Sequence, residues 1–322
     1  MRAIVVKAPG GPEVLELQEV PDPRPVPGDL LVRVHAAGVN RADVLQRMGR
    51  YPPPPGEPET LGLEIAGEVV EPAPPFQRGD RVMALLAGGG YAELARVPAA
   101  QAMPVPAGMD FAHAAAIPEA FLTAWLNLFL LGRLLRGEVA VVHAAASGVG
   151  SAALQLCRGV AATVLATASP AKHAACLELG ATHVLGRDQV PTGLSQAVRA
   201  AAGRGADLIF DLVGAAYLEA NVAALALHGR LCCISTMGGS KGTLDLGALL
   251  SRRLTVIGST LRSRSLAQKA KLVANFAQGA LPRFASGELR PVLGRTYPLA
   301  QAGEAHAAME RNEVVGKIAL IV

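Results

Sequence analysis

The chain has 322 residues, 51% hydrophobic and 17% charged, with a formal net charge of +4. That length is long for one hydrophobic core and that composition is well above the disordered range, so a globular protein of two domains is expected. The mild, scattered positive charge, with few aromatic rings, argues against a nucleic-acid binder, and the tightest basic clusters, Arg252-Arg253 and Arg262-Ser263-Arg264, read as solvated faces.

Met1–Lys7 reads as a strand rather than a signal peptide, since no long apolar core or small-residue cleavage site follows it. Leu30–His35 alternates with period two after the turn residues Pro27-Gly28-Asp29, Ile65–Val70 forms a second strand, and Arg78-Gly79-Asp80 turns the chain into Arg81–Leu85. Short strands punctuated by Pro and Gly predict an all-β, barrel-like module over the first hundred or so residues. Residues 111–135 change to Ala- and Leu-rich helix, with Pro118 starting a new segment. The apolar run Phe121–Leu131 is interrupted by Thr123 and Asn127 and is too short to span a bilayer, so no membrane association is expected. The four cysteines, Cys157, Cys176, Cys232 and Cys233, show no C-x-x-C spacing and read as buried reduced thiols, which fits a cytoplasmic protein.

The most informative stretch is His143-Ala144-Ala145-Ala146-Ser147-Gly148-Val149-Gly150. The apolar strand Val139–Val142 precedes it and a helical pattern, Ser151–Cys157, follows. A strand feeding a small-residue turn into a helix aims free N–H groups and a positive dipole end at one spot, which suits a pyrophosphate. Ala145, Ser147 and Gly150 fall at the three small positions of the dinucleotide fingerprint. In an NAD enzyme the next strand, Thr163–Ala168, would end in an acid that holds the ribose 2′-hydroxyl. No acid occurs from Ser151 through Leu177; Ser169 and Lys172 stand there instead, a hydroxyl and a cation suited to a 2′-phosphate, so the loop reads as an NADPH site. The plain alternative is an ordinary strand-turn-helix that binds no nucleotide.

Strands at Val139–Val142, Thr163–Ala166, His183–Leu185, Leu208–Leu212, Arg230–Ser235 and Thr255–Ile257 alternate with helices at Ala171–Leu179, Thr192–Ala202 and Leu218–Ala226. That alternation implies a doubly wound parallel sheet. After Leu261 comes a helix rich in Lys, Ala and Gln, and then a strand-like tail, Gly316–Val322, with no helical partner left. The tail is expected to return to the first module, which makes the nucleotide domain an insertion: a β domain over residues 1–120 and 263–322, and a dinucleotide-binding domain over 121–262.

A β module, an inserted nucleotide domain and a returning C-terminus together resemble the medium-chain dehydrogenase/reductase superfamily, with its GroES-like and Rossmann domains. The segment Asn40 to Gly56, with its Pro52–Pro55 run, resembles the quinone oxidoreductase (zeta-crystallin) branch. The Gln46-Arg47 pair, Ala115-Ala116-Ile117-Pro118-Glu119-Ala120, Met237-Gly238-Gly239 and Leu261-Arg262-Ser263-Arg264 are most similar to its p53-inducible type. Zinc alcohol dehydrogenases of the superfamily carry a Cys ligand near Asn40 and a His between Gly62 and Glu64; here Asn40 and Leu63 stand there, and neither supplies a thiolate or an imidazole. No Cys precedes Cys157, so the structural-zinc loop is missing as well, and no metal is expected.

Individual residues carry paired readings. Tyr51, stiffened by the proline run, could hydrogen-bond a quinone carbonyl or donate a proton, or pack its ring on the barrel. Asn40 could donate its amide to a carbonyl oxygen, or serve as a turn residue. Asp43 reads as the first-turn acid of the following helix. Thr123 matches the superfamily's nicotinamide-contacting threonine, against a hydroxyl bonding back to its own turn. Arg187 takes the place where related quinone reductases carry a Tyr beside the 2′-phosphate, against a solvated loop arginine. His143 reads as a packed, hydrogen-bonded histidine and Asp211 as a turn cap. The resemblance places the cofactor also against Gly148, Val149, Val213, Ser235, Met237, Leu261, Arg264 and Lys317.

The expected function is a zinc-independent NADPH:quinone oxidoreductase, a homodimer by family resemblance, with hydride passing to a quinone in the cleft between domains. The alternatives are an NADPH-dependent enone or 2-alkenal reductase using the same site, and an NADPH-binding structural or RNA-binding protein like some zeta-crystallins.

Overall fold

The computed structural model describes all of residues 1–322. The chain divides into two compact units, Met1–Leu122 with Leu261–Val322, and Thr123–Thr260. The cuts lie at 122/123 and 260/261, against the expected 120/121 and 262/263.

The first unit is built on the long strand Asp29–Val39. Its first half pairs with Leu94–Pro98 and its second half with the C-terminal strand Lys317–Ile321, where Ile318 lies opposite Val39. Along the other side runs Glu64–Glu71, through register shifts at Leu31/Val32 and Val34/Ala36. Such irregularities bend a strand, and here they curve one sheet of seven strands around a core. Ile4, Leu30, Val32, Ile65, Val82, Val97 and Leu320 fill it, closed by Ala302, Ala305 and Ala308 of the helix Ala302–Glu310. The tail therefore returns to the first module, because its alternating apolar side chains complete that core.

The second unit is a six-stranded parallel sheet in the order His183–Gly186, Thr163–Ala168, Val139–Val142, Ala206–Asp211, Leu225–Cys233, Thr255–Gly258. The chain starts at Val139–Val142, winds outward one way, then crosses back and winds out the other. This is the Rossmann arrangement, and ligands bind beyond the strand ends where the winding reverses. Val141, Leu165, Leu194, Ile209, Val222 and Leu231 form its core.

Most element ends shift by a residue or two, and larger differences fall in two places. The helix expected over Leu218–Ala226 stops at Ala224, and Leu225 opens a strand expected only from Arg230. The segment Leu225-Ala226-Leu227 has helix-forming composition, and tertiary pairing overrides it. That strand ends at Cys233 rather than Ser235, whose hydroxyl instead accepts the Met237 N–H (3.2 Å). The helical stretch expected over 111–135 ends at Leu131, and its apolar part is longer than the run Phe121–Leu131 expected to be too short to span a bilayer. It runs from Phe111 to Leu131, long and apolar enough to cross a membrane, although 72% of its most apolar window is buried within the protein, as in a core helix.

Candidate functional site

In the second unit the strand Val139–Val142 leads into a tight turn in which Ala144 takes φ +47, a conformation that costs a residue with a Cβ. The Ala145 N–H is tied to the Thr167 carbonyl (3.0 Å), which fastens the turn to the neighbouring strand. Ser147 caps the helix Gly148–Arg158 by accepting the Gly150 N–H (3.1 Å). Any Cβ at Gly150 would collide with the Ala144 carbonyl, so only glycine lets helix and turn pack this closely. Because Gly150 and Ser151 bond back to Ser147, the Gly148 and Val149 N–H groups are the ones left for a ligand at the helix start.

Ser169 and Lys172 follow the end of Thr163–Ala168, and Arg187 follows His183–Gly186, whose Gly186 is in register with Ala168. Burial first, and the nearby Arg187 charge second, push the Lys172 ammonium below its ordinary range. Two cations that repel each other at adjacent strand ends suit a multiply charged anion. Asp188 follows Arg187 as the one acid in that turn. On the other side of the sheet the Val213 carbonyl accepts the Gly238 N–H (2.8 Å), bringing Val213, Ser235 and Met237 to the same edge; Met237 is 56% exposed. Asp211 caps the intervening turn through the Val213 and Gly214 N–H groups (2.7 and 3.1 Å). His143 is fully buried; its Nε2 lies 2.7 Å from Asn221 Oδ1 and its Nδ1 3.0 Å from Thr167 Oγ1, a packed histidine as expected. Thr123 begins this unit, and its Oγ1 is buried without a hydrogen-bond partner, so it does not bond back to its own turn.

The first unit holds a different constellation. Lys317 Nζ donates to Glu64 Oε1 (2.5 Å), Asn40 Oδ1 (2.6 Å) and the Val39 carbonyl (2.7 Å), and all three side chains are buried. Asn40 Nδ2 donates to Glu64 Oε1 (2.9 Å), leaving its second hydrogen only a long contact to the Gly38 carbonyl (3.5 Å). Asn40 is fixed from below by the helix Arg41–Arg47, for which it is the N-terminal cap; Asp43 accepts the Asn40 N–H (2.8 Å), the Gly62 N–H (3.1 Å) and the Tyr91 hydroxyl (3.2 Å). Burial lifts the Asp43 carboxyl to about 6 despite these donors. The far end of the helix is pinned by Arg47, whose guanidinium forks onto Glu310 (3.0 Å twice).

Arg262 was expected on a solvated face, and is instead 3% exposed. It donates to the Ala87 carbonyl (2.7 Å), Gln46 Oε1 (2.7 Å) and the Tyr51 carbonyl (3.2 Å), and its guanidinium lies 5.4 Å over the Tyr51 ring. Buried carbonyls need donors, and that need draws the arginine in. The Tyr51 ring is thereby held half-buried; burial, then the Glu119 carboxyl, raise its phenol above the usual range.

Asn40 and Lys317 thus meet, whereas Ala145, Ser147, Ser169, Lys172, Arg187 and Val213 gather on the other unit. Leu261 and Arg264, joined by a backbone bond (3.1 Å), belong with Lys317 to the first unit. Sequence reasoning missed Glu64, Glu119 and the role of Arg262. An acid opening the otherwise apolar stretch Glu64-Ile65-Ala66-Gly67, and another inside Ile117-Pro118-Glu119-Ala120, were the available signals.

Residues 26–107 match the alcohol dehydrogenase GroES-like domain family, and residues 179–320 the zinc-binding dehydrogenase family. The synaptic vesicle membrane protein VAT-1 homolog of Homo sapiens is 31% identical over 341 residues, covering 100% of this chain and 86% of its own. The quinone oxidoreductase of Rattus norvegicus is 31% identical over 330 residues, covering 100% and 98%. Among solved structures, a mycobacterial protein complexed with NADPH superposes with TM-score 0.90 at 29% identity, and an NAD-dependent alcohol dehydrogenase with TM-score 0.87 at 33%; both cover 100% of the two chains. The residues here do not fit the zinc that one family name carries. Asn40 and Leu63 are not zinc ligands, and the Lys317 ammonium already lies against Glu64 and Asn40, where a divalent cation would be repelled.

Proposed function

The chain belongs to the medium-chain dehydrogenase/reductase superfamily of oxidoreductases, and we propose that within it this protein reduces quinones with NADPH and without a metal. The observation that carries the reading is the Lys317–Asn40–Glu64 cluster, an organic cation held where zinc-dependent relatives place their metal ligands. Alcohol oxidation needs a Lewis acid to stabilise the alkoxide, whereas an electrophilic quinone accepts hydride without one.

Bound NADPH supplies the hydride equivalent. The chain's own residues bind and orient. The Gly148 and Val149 N–H groups, with Ala145, Ser147 and Gly150 shaping the turn, take the pyrophosphate; Ser169, Lys172 and Arg187 take the 2′-phosphate. Thr123, whose hydroxyl is buried without a partner, would contact the nicotinamide amide, with Val213, Ser235, Met237, Leu261 and Arg264 as the further cofactor contacts. Asn40, through the amide hydrogen held only by its long contact to the Gly38 carbonyl, and Tyr51 hold the acceptor carbonyl; Lys317 keeps Asn40 oriented and adds positive charge behind it. The protein acts as a homodimer through the outer edge of Thr255–Gly258, a strand paired on one side only, which carries the exposed Val256 and follows the exposed Leu246 and Leu250 in the chain. The four free thiols, Cys157 pushed by burial up to about 12, fit a reducing cytoplasmic setting.

The test is a steady-state screen of chelator-treated protein with NADPH against quinones, 2-alkenals and enones. Quinone turnover undiminished by chelation is expected. Turnover of alkenals alone would transfer the assignment to an enone reductase, and loss of activity with a removable stoichiometric zinc would contradict it.

A further inference from the structure

Glu64 and Glu119 are two carboxyls of the first unit, set close together and supplied very unequally with donors. Glu64 accepts from Lys317 Nζ, Asn40 Nδ2 and, through Oε2, the Glu119 backbone N–H (2.8 Å). Glu119 Oε2 is buried and has no partner at all. Glu119 is partly exposed as a residue, but its Oε2 is enclosed beside Glu64, and a carboxyl oxygen enclosed there without a donor resists ionisation. The proton therefore belongs to Glu119, whose carboxyl is pushed up to about 8, first by burial and then by Glu64. Asp43 adds to that push, while Lys317 and Lys269 oppose it; the charge of Glu119 is felt in turn by Tyr51 and Arg262. A neutral carboxyl whose enclosed oxygen has no partner is a donor missing its acceptor. Of the residues assigned to the acceptor carbonyl, Tyr51 feels its charge and Asn40 is joined to it through Glu64.

Resting on the quinone-reductase reading, we propose that Glu119 is the acid that protonates the acceptor oxygen. The acceptor gains one hydride from NADPH, its conjugated π bond breaks, and the electron pair moves onto the carbonyl oxygen. That oxygen takes the proton from the Glu119 carboxyl, forming O–H and leaving a carboxylate, which regains a proton from water. The acceptor is reduced by two electrons and NADPH is oxidised to NADP⁺. An acid in this role works only while protonated, so turnover is level below pH about 8 and falls above it. The role parallels enzymes that keep a carboxylic acid neutral so that it can donate to a developing oxyanion.

Two measurements test it. Infrared difference spectra of the ligand-free protein, wild type minus Glu119→Gln, should show a protonated carboxyl at pH 7 that disappears toward pH 9. With 9,10-phenanthrenequinone as acceptor, Glu119→Gln should lower kcat on the order of a hundredfold, leave NADPH affinity unchanged and abolish the alkaline limb. Glu119→Asp should keep that limb at a reduced rate, and it decides the matter with the infrared band should the Gln variant not fold. No carboxyl band at pH 7, or a Gln variant with wild-type kcat and pH profile, overturns the proposal while leaving the quinone reading intact. A carboxyl band in a wild-type protein that reduces no quinone with NADPH overturns both.

Discussion

At the scale of single residues, Asn40 and Tyr51 are where positioning and chemistry separate. Asn40 spends one amide hydrogen on Glu64 and its oxygen on Lys317, so its rotamer is fixed and its second hydrogen has only the long contact to the Gly38 carbonyl. If that hydrogen and the Tyr51 phenol meet an acceptor carbonyl, they stabilise charge that grows as hydride arrives. Such contacts act mainly in the transition state and appear in kcat more than in KM. Asn40→Ala and Tyr51→Phe should each slow quinone reduction by roughly tenfold or more, with NADPH affinity unchanged. Steady-state rates, cofactor titration and melting temperature on the same preparations check this. Full turnover in both variants would mean that apolar packing holds the acceptor.

At the scale of elements, the loop after the helix Arg41–Arg47 depends on Arg262, which comes from far along the chain and ties the Tyr51 carbonyl to Gln46 and Ala87. Removing it leaves the buried Ala87 carbonyl and two partly buried acceptors, Gln46 Oε1 and the Tyr51 carbonyl, without their donor. Arg262→Ala should cost on the order of 2–3 kcal/mol of stability and loosen Tyr51, so that KM for the quinone rises; chemical unfolding and kinetics measure both, and unchanged values would show that the proline run alone sets the loop. This element also marks a limit of the sequence. The glycine turn and the strands Val139–Val142 and Arg81–Leu85 were readable because their signals are local, a period or a spacing within ten or so residues. Arg262, Glu64 and Glu119 take their meaning from partners dozens to hundreds of positions away. A charged residue in sequence reads as surface until the carbonyls and carboxylates that draw it inward are known.

At the scale of the whole molecule, the two units were legible because alternation of strands and helices begins and ends abruptly, and because the tail Lys317–Ile321 had nothing nearby to pair with. The misplaced Leu225–Cys233 strand is the exception, since its first residues favour helix and only pairing with Ala206–Asp211 makes them extended. Its neighbour Thr255–Gly258 is mostly exposed and leaves one edge open, with Leu250 76% and Leu246 61% exposed close by in the chain. Burying that edge against a second copy predicts twice the monomer mass in light scattering. Val256→Lys should shift the protein toward monomer, because a charge on an edge strand opposes pairing; a wild-type monomer at micromolar concentration would refute the dimer.

The central claim is that this fold carries NADPH electrons to quinones, and its most direct test is the ratio of kcat/KM for NADPH over NADH at saturating quinone, in the wild type and in Lys172→Ala and Arg187→Ala. One charge-assisted phosphate contact contributes about 1.5–3 kcal/mol, so each substitution should lower the NADPH value on the order of tenfold to a hundredfold and leave the NADH value nearly unchanged. Equal efficiency with both cofactors in the wild type, or substitutions that weaken both alike, would contradict the account.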